Sequence, residues 1–232
     1  MDSLTITPLG AELLDDPAAE PAAVRESLRN IARANRWFGG AAAVKHGLAR
    51  VLAGVPRGRI VSLLDVGTGA GDLPGVVVRW AARRGIRVVP VGLERSRVAA
   101  AMALGSGVPC AVACAGLPPI RAKSVDLILL SQLVHHLAPA STVRLLQSCD
   151  RLARLGVVVA DLRRGPTATL GFWCAARLLR FDPNTRRDGL TSIRRGYTAA
   201  ELRGLLLAAG VRGRVERRPG HRLVATWRPA GI

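Results

Sequence analysis

Short apolar runs alternate with helix-spaced apolar positions along most of the chain after residue 57. Each run is apolar throughout rather than at every second position, as expected for strands buried on both faces of a parallel sheet. Between the runs, apolar residues recur at helical spacing, as at Val76, Val77 and Trp80. This alternation predicts a parallel sheet with right-handed helical crossovers. The predicted strands are 60–66, 86–93, 109–113, 125–130 and 156–161.

The N-terminal part has a different pattern. Residues 1–20 lack clear periodicity and carry five acids, which predicts an irregular acidic arm that can lie against the basic body of the chain. Residues 22–36 and 41–53 each place apolar side chains on one helical face. We therefore expect an arm and a helical cap over residues 1–56, ahead of an α/β domain over residues 57–232.

The C-terminal part returns to strands. A capping box at Thr198 and Glu201 predicts a helix that stops at Gly210. Segments 211–217 and 223–228 flank a Pro-Gly turn and predict an antiparallel hairpin. The count then reaches seven strands, so the predicted fold class is α/β, a doubly wound and mostly parallel seven-stranded sheet.

An acid and three alternating glycines follow the first predicted strand, in the run D-V-G-T-G-A-G over residues 65–71. Glycine permits positive φ and close approach of a ligand to the main chain, while the next helix offers free N–H groups. The spacing fits neither the dinucleotide G-x-G-x-x-G motif nor the P-loop. A carboxylate at Asp65 favours a positively charged ligand over a pyrophosphate.

This run resembles the first motif of the class I S-adenosylmethionine-dependent methyltransferases, an acid followed by G-x-G-x-G. The similarity extends from about Val61 to the C-terminus. It implies a Rossmann-like methyltransferase fold, an enzyme with S-adenosyl-L-methionine as cofactor, and a small, largely apolar acceptor such as a phenol, a quinone or a polyketide-like compound of bacterial secondary metabolism. The implied cofactor-binding residues are Asp65, Gly67, Thr68, Gly69, Gly71, Glu94, Cys114, Ala115 and Ser131.

The sequence supports a specific contact at Glu94 and departs from the family pattern at Cys114. Glu94 closes the second predicted strand, where a carboxylate can accept two hydrogen bonds from a ribose diol, although a solvated acid paired with a neighbouring arginine is the alternative. Cys114 stands where the resembling family usually has an acid that binds the adenine amino group. A thiol is a weak donor and a weak acceptor. Adenine recognition is therefore expected to use backbone groups at Cys114 and Ala115 and apolar contact with Leu117.

Two adjacent histidines, His135 and His136, follow the fourth predicted strand. Ligands of open parallel sheets bind beyond the carboxyl ends of the strands, so this loop is expected to face the cofactor's methyl group. Either histidine can serve as a base near neutral pH. The alternative is that both only cap or pack beside the next helix, because many methyl transfers depend on positioning rather than on proton removal.

Four aromatic residues are candidates for a substrate pocket. Trp37 and Phe38 lie between the two predicted N-terminal helices, where simple packing is the alternative to a pocket role. Phe172 and Trp173 belong to an apolar helix predicted over 165–181, which is followed by a polar loop predicted over 182–196. This helical insertion at about 165–196 follows the fifth strand, where the resembling small-molecule enzymes build their substrate pockets.

Charge and composition bear on partners. The net charge of +18 comes almost entirely from arginines that are dispersed in pairs, with no basic block and no alternating aromatics, which argues against nucleic acid. An RNA methyltransferase and a non-catalytic binding module remain the competing hypotheses. The four cysteines lack metal-ligand spacing, so no metal is expected. No export signal and no apolar run of about 20 residues is found, which predicts a cytoplasmic protein without a membrane span.

Overall fold

The computed structural model describes residues 5, 7–115 and 120–229, and Leu117 lies outside them. Within this part of the chain, the strands form one seven-stranded sheet in the order β3-β2-β1-β4-β5-β7-β6. The strands are β1 Ile60–Val66, β2 Arg87–Glu94, β3 Cys110–Val112, β4 Val125–Ser131, β5 Ala153–Leu162, β6 Arg214–Arg218 and β7 Arg222–Trp227. The predicted fold class is confirmed.

Eight α-helices accompany the sheet in the described residues, together with two short 3-10 helices at Leu13–Asp15 and Val134–His136. None of the described helices is both long and apolar enough to cross a membrane. The α-helices are α1 Pro21–Trp37, α2 Gly40–Val51, α3 Asp72–Ala82, α4 Arg97–Gly105, α5 Pro139–Leu152, α6 Pro166–Leu178, α7 Pro183–Arg195 and α8 Ala199–Ala208.

The sheet centre holds the longest apolar strands. β1 pairs in parallel with β2 on one side and with β4 on the other, so the order of the strands reverses beside it. β4 pairs in parallel with β5, and β7 is antiparallel to β5. Leu127, Ile128 and Leu129 are wholly buried because helices cover both faces of the sheet. Asp65 and the loop after β4 therefore meet at the same edge.

Helix α2 packs directly on the sheet. Val44 and Leu48 are fully buried in the same apolar cluster as Val158 of β5 and Val224 of β7. Gly47 lies so close to β5 that a Cβ atom would come within 2.5 Å of Val158 Cγ1. This contact fixes the α1–α2 connection above the carboxyl ends of the strands.

The polar loop predicted over 182–196 is wrong, because this segment is helix α7. Asp182 caps the helix by accepting a hydrogen bond from the Thr185 N–H at 3.1 Å, and Pro183 occupies the first turn. The buried face of α7 is largely polar and includes Asp188 and Arg195. Apolar periodicity therefore gave no signal for this helix, although its capping residues were present.

Candidate active site

A cavity of about 650 Å³ opens at the carboxyl ends of the central strands. Ligands of doubly wound folds bind at this place, where the order of the strands reverses. Its walls come from the N-terminal arm, the end of α1, the glycine turn, the loop after β4, helices α6 and α7, and the β6–β7 turn. Segments far apart in the sequence thus share one cavity.

The glycine turn presents bare backbone to this cavity. Gly67 and Gly69 line it with φ angles of 72° and 56°, in the left-handed region that favours glycine. Thr68 also lines it, and its hydroxyl donates to Asp65 Oδ2 at 2.8 Å. Gly71 does not line the cavity, so the structure does not bring it together with the other predicted cofactor residues. A Cβ atom there would lie 3.2 Å from Ala103 Cα, so this glycine permits close packing of the turn on α4.

Asp65 is a buried carboxyl group with one unused oxygen. Only 2% of the residue is exposed, and Oδ1 has no hydrogen-bond partner among the described residues. Burial raises the pKa of Asp65 to about 7, the Thr68 hydrogen bond opposes this, and the nearby Asp72 and Glu94 carboxylates add to it. A cationic or hydrogen-bond-donating ligand in the cavity would favour the ionised carboxylate.

Glu94 lines the cavity beside the turn. Its Oε2 accepts from the Gly69 N–H at 3.0 Å, and its Oε1 accepts from the N–H groups of Arg95 and Ser96 at 2.7 and 3.0 Å. The Arg95 guanidinium instead donates to the carbonyls of Leu14 and Asp15 in the arm. Backbone amides therefore orient Glu94, in place of the arginine pairing that the sequence left open.

The remaining predicted cofactor residues lie around this turn. Cys114, Ala115 and Ser131 all line the cavity, and Cys114 is exposed. Asp72, Asn35 and Gln132 were missed by the sequence reasoning. Asn35 donates to Asp72 Oδ2 at 3.0 Å and accepts from Gln132 Nε2 at 2.6 Å.

Gln132 is also a conformational outlier. Its φ of 50° is uncommon for a residue other than glycine and is typical of strained functional positions. Its side-chain oxygen accepts from Arg222 Nη1 at 2.9 Å. No local motif marked Asn35, Gln132 and Arg222, because they come from three separate elements: α1, the loop after β4, and β7.

His135 forms a buried pair with Asp161 at the end of β5. Its Nδ1 lies 2.6 Å from Asp161 Oδ1, and its Nε2 is buried without a hydrogen-bond partner in the described residues. Burial raises the pKa of Asp161, but the charge of His135 and its hydrogen bond outweigh burial and keep the pKa below its usual value. Asp161 is therefore ionised and accepts from Nδ1–H, so that in the neutral imidazole the lone pair is on Nε2.

His136 belongs to a different network, which holds the arm. Its Nδ1 lies 2.9 Å from Asp15 Oδ1, while Arg195 donates to Glu12 Oε1 at 3.0 Å and to Asp15 Oδ2 at 2.8 Å. The Arg195 side chain is fully buried. Burial raises the pKa of Asp15, but hydrogen bonds and charge from His136 and Arg195 outweigh it and lower the pKa. The acidic arm thus lies against the body, as predicted.

Three groups at this junction are spaced for a metal ion. One ligand atom each from Glu12, His135 and His136 lie within 4.8 Å of one another. Protein groups already engage two of them: Glu12 accepts from Arg195 and from Ser192, and His136 is paired with Asp15. The arrangement is explained by these ion pairs.

The aromatic candidates divide between the cavity and the surface. Phe172 lines the cavity near Phe181, and Trp37 and Phe38 line it at the α1–α2 connection. Trp173 does not line the cavity, so the structure does not bring it together with the other three aromatic candidates. The residue is 46% exposed, and the Arg177 guanidinium lies 3.6 Å from the centre of its ring. Adjacent helical positions point about 100° apart, so only one of the two aromatics could face inward.

Comparisons with known proteins agree with this geometry. Residues 64–160 match the family model described as a methyltransferase domain. The chain is similar in structure to the O-methyltransferase NcsB1 from neocarzinostatin biosynthesis, with a TM-score of 0.65 and 20% identity over 94% of this chain and 62% of that one. No curated protein sequence matches it.

Two further structures show the range of lengths among similar folds. Human N-acetylserotonin methyltransferase has a TM-score of 0.62 and 15% identity, with 91% of this chain and 57% of that one covered. An S-adenosylmethionine-dependent methyltransferase from Aquifex aeolicus has a TM-score of 0.59 and 17% identity, with 89% and 97% covered. The chain therefore spans little more than half of the human structure and almost all of the Aquifex one.

The strand order and the cavity beside the glycine turn define a class I methyltransferase fold. The family match to a methyltransferase domain over residues 64–160 agrees with this fold. The predicted fold is confirmed, and the match over residues 64–160 supports the predicted cofactor and enzyme class. The site also fits the cofactor, since the unpartnered oxygen of buried Asp65 suits a positively charged group and the turn offers close backbone contact.

Proposed function

We propose that this chain is an O-methyltransferase whose acceptor is the hydroxyl group of a small aromatic compound. The observation that carries the proposal is the His135–Asp161 pair, because His135 lines the same cavity as the glycine turn and Asp65, and its buried Nε2 has no hydrogen-bond partner in the described residues. When bound, S-adenosylmethionine supplies an electrophilic methyl group. The residues of the chain must then hold the acceptor in line and take up its proton.

His135 is placed for the proton step. Because Asp161 accepts from Nδ1–H, the proton-accepting lone pair is on Nε2, in the tautomer that a general base requires. A phenol with a pKa near 10 gives up its proton to such a base far more readily than an aliphatic alcohol does. An aromatic hydroxyl group is therefore the acceptor that this pair favours.

The walls of the cavity support a small, flat acceptor. Leu14 of the arm, Phe172 of α6, and Phe181 and Ile193 beside and within α7 all line it. A volume of about 650 Å³ falls in the usual range for small-molecule sites. NcsB1, which has a similar fold, was solved with 1,4-dihydroxy-2-naphthoic acid, a small aromatic compound with hydroxyl groups.

A methyl-transfer assay with labelled cofactor and a panel of phenols, naphthols and hydroquinones tests the proposal. We expect turnover of at least one phenol, and in His135→Ala a fall in kcat of about 100-fold or more. Calorimetry should show unchanged affinity of this variant for S-adenosylhomocysteine. His46→Ala is the matched control, since His46 pairs with Glu216 away from the cavity. Undiminished turnover in His135→Ala would contradict the base assignment.

A further inference from the structure

Two arginines line the cavity at the end of the sheet where β5 and β7 pair. Arg163 follows the last residue of β5, and its backbone N–H donates to the His221 carbonyl at 2.7 Å. Arg222 begins β7 opposite Leu162 of β5. Both arginines and His221 belong to the cavity wall. The wall therefore carries two guanidinium groups close to the Asp161 that supports His135.

Neither guanidinium forms an ion pair with an acid of the described chain. Ion pairs form at six other arginines, but none includes Arg163 or Arg222. Arg222 donates to the neutral acceptors Phe38 O and Gln132 Oε1 at 3.1 and 2.9 Å. Arg195 differs, because two carboxylates compensate its buried charge. At this end of the cavity wall, Arg163 and Arg222 thus form no ion pair with a described acid, although the charge of Asp161 acts on Arg222.

Arg163 is the better placed of the two for an incoming ligand. Its Nε is buried without a hydrogen-bond partner in the described residues, and its Nη2 lies 3.2 Å from His221 Nδ1. Burial and the Arg163 charge lower the pKa of His221, so its imidazole is neutral and accepts this hydrogen bond. Arg222 is instead anchored at two positions by the α1–α2 connection and Gln132. His221 therefore orients Arg163 and leaves donors of its fork unused.

The strand sets the spacing between this guanidinium and the base. Asp161 and Arg163 are two residues apart along β5 and its extension, about 7 Å from Cα to Cα, and such positions face the same side of a sheet. His135 binds Asp161, so the base and the guanidinium share one end of the cavity.

We propose that Arg163, oriented by His221, binds a carboxylate on the acceptor, which makes the preferred substrate an aromatic hydroxy acid. A guanidinium fork matches a carboxylate through two parallel hydrogen bonds, and a desolvated cation without a counter-charge favours such a ligand. This inference rests on the proposed function, because it assigns the charge of the same acceptor. The His135–Asp161 pair receives the hydroxyl proton, and Arg163 holds the acid group.

Binding of 2-naphthoate and 2-naphthamide, two probes without a hydroxyl group, tests the subsite by calorimetry in the presence of S-adenosylhomocysteine. We expect the wild-type protein to bind the acid at least tenfold more tightly than the amide. Arg163→Met should abolish this preference, and Arg163→Lys should keep only part of it. Arg164→Met is the matched control, since Arg164 pairs with Glu201 on the surface. Thermal melting of each variant reports whether it is folded.

Each result bears on the inference. Equal affinity for acid and amide in the wild-type protein, or a preference that persists in folded Arg163→Met, overturns it. Loss of S-adenosylhomocysteine binding in Arg163→Met also overturns it, since the guanidinium would then serve the carboxylate of the cofactor. The O-methyltransferase proposal fails in a different way. The protein would then turn over none of the phenols but would still bind 2-naphthoate through Arg163.

Discussion

The two halves of the cavity are built in different ways. The half proposed to bind the cofactor consists of the turn at residues 65–72 with Glu94, where backbone groups face the cavity and carboxyls are held by backbone N–H groups or adjacent hydroxyls. The acceptor half consists of side chains from the arm, the loop after β4, the end of β5, and α6 and α7. A site built from backbone groups depends on the conformation of the turn, whereas a site built from side chains changes with each single substitution. We therefore expect single substitutions in the acceptor half to alter acceptor binding or turnover while leaving cofactor affinity unchanged.

Asp161→Asn gives the largest expected effect and separates the two halves. An amide can donate to His135 Nδ1, which would move the ring proton to Nε2 and remove the free lone pair. We expect kcat to fall by about 100-fold to 10,000-fold while affinity for S-adenosylhomocysteine stays within about twofold. Steady-state kinetics and calorimetry measure the two quantities. A parallel loss of cofactor affinity would show that the halves are not independent.

Arg195→Met tests how the arm closes the acceptor half. The substitution leaves the buried Glu12 and Asp15 carboxylates without their partner, and breaking a buried ion pair in this way costs about 3 kcal/mol of unfolding free energy. Urea unfolding measures the change. Arg194→Met, at an exposed neighbouring position, should cost less than about 0.5 kcal/mol. Similar losses in both variants would rule out a specific arm contact.

Cofactor binding should depend on pH through Asp65. The pKa of its carboxyl in the free protein is about 7, and a positively charged ligand binds best to the ionised form. Affinity for S-adenosylmethionine should therefore decrease as pH falls below 7, approaching tenfold per pH unit, and be nearly constant above pH 8. Calorimetry from roughly pH 5.5 to 8.5, on both sides of this pKa, measures the dependence. Asp65→Asn should bind more weakly and lose the pH dependence; an unchanged profile in this variant would assign it to another group.

Gly189→Ala is expected to have the smallest effect and to stay within the acceptor half. A Cβ atom at this position of α7 would lie 2.1 Å from Phe172 Cζ, so the phenyl ring must move within the cavity wall. We expect the acceptor KM to change by about tenfold and cofactor affinity to be unaffected. Gly204→Ala is the matched control in α8, where a Cβ atom meets open space. If the acceptor KM changed in Gly204→Ala but not in Gly189→Ala, Phe172 would not be part of the acceptor site.

The difference between the halves also explains which predictions succeeded. Asp65, Gly67, Thr68, Gly69 and Glu94 come together at the cavity because the turn is contiguous and its glycines are required by backbone geometry. Gly71 and Trp173 do not line the cavity, since a motif position or an aromatic residue does not show which way it faces. Helix α7 was missed because its buried face is polar and pairs with the arm.

The amino-acid sequence by itself determined the strand-helix order, the seven-stranded sheet and the turn that meets the cofactor. These features follow from periodicity and local backbone preference, which act over a few residues. Only the tertiary structure decided that Asp161 supports His135, that Arg195 fastens the arm, and that Arg163 lines the cavity without a carboxylate partner in the described chain. Each of these features depends on contacts between segments that are distant in the sequence, and charges interact more strongly at buried positions because the local dielectric constant is low.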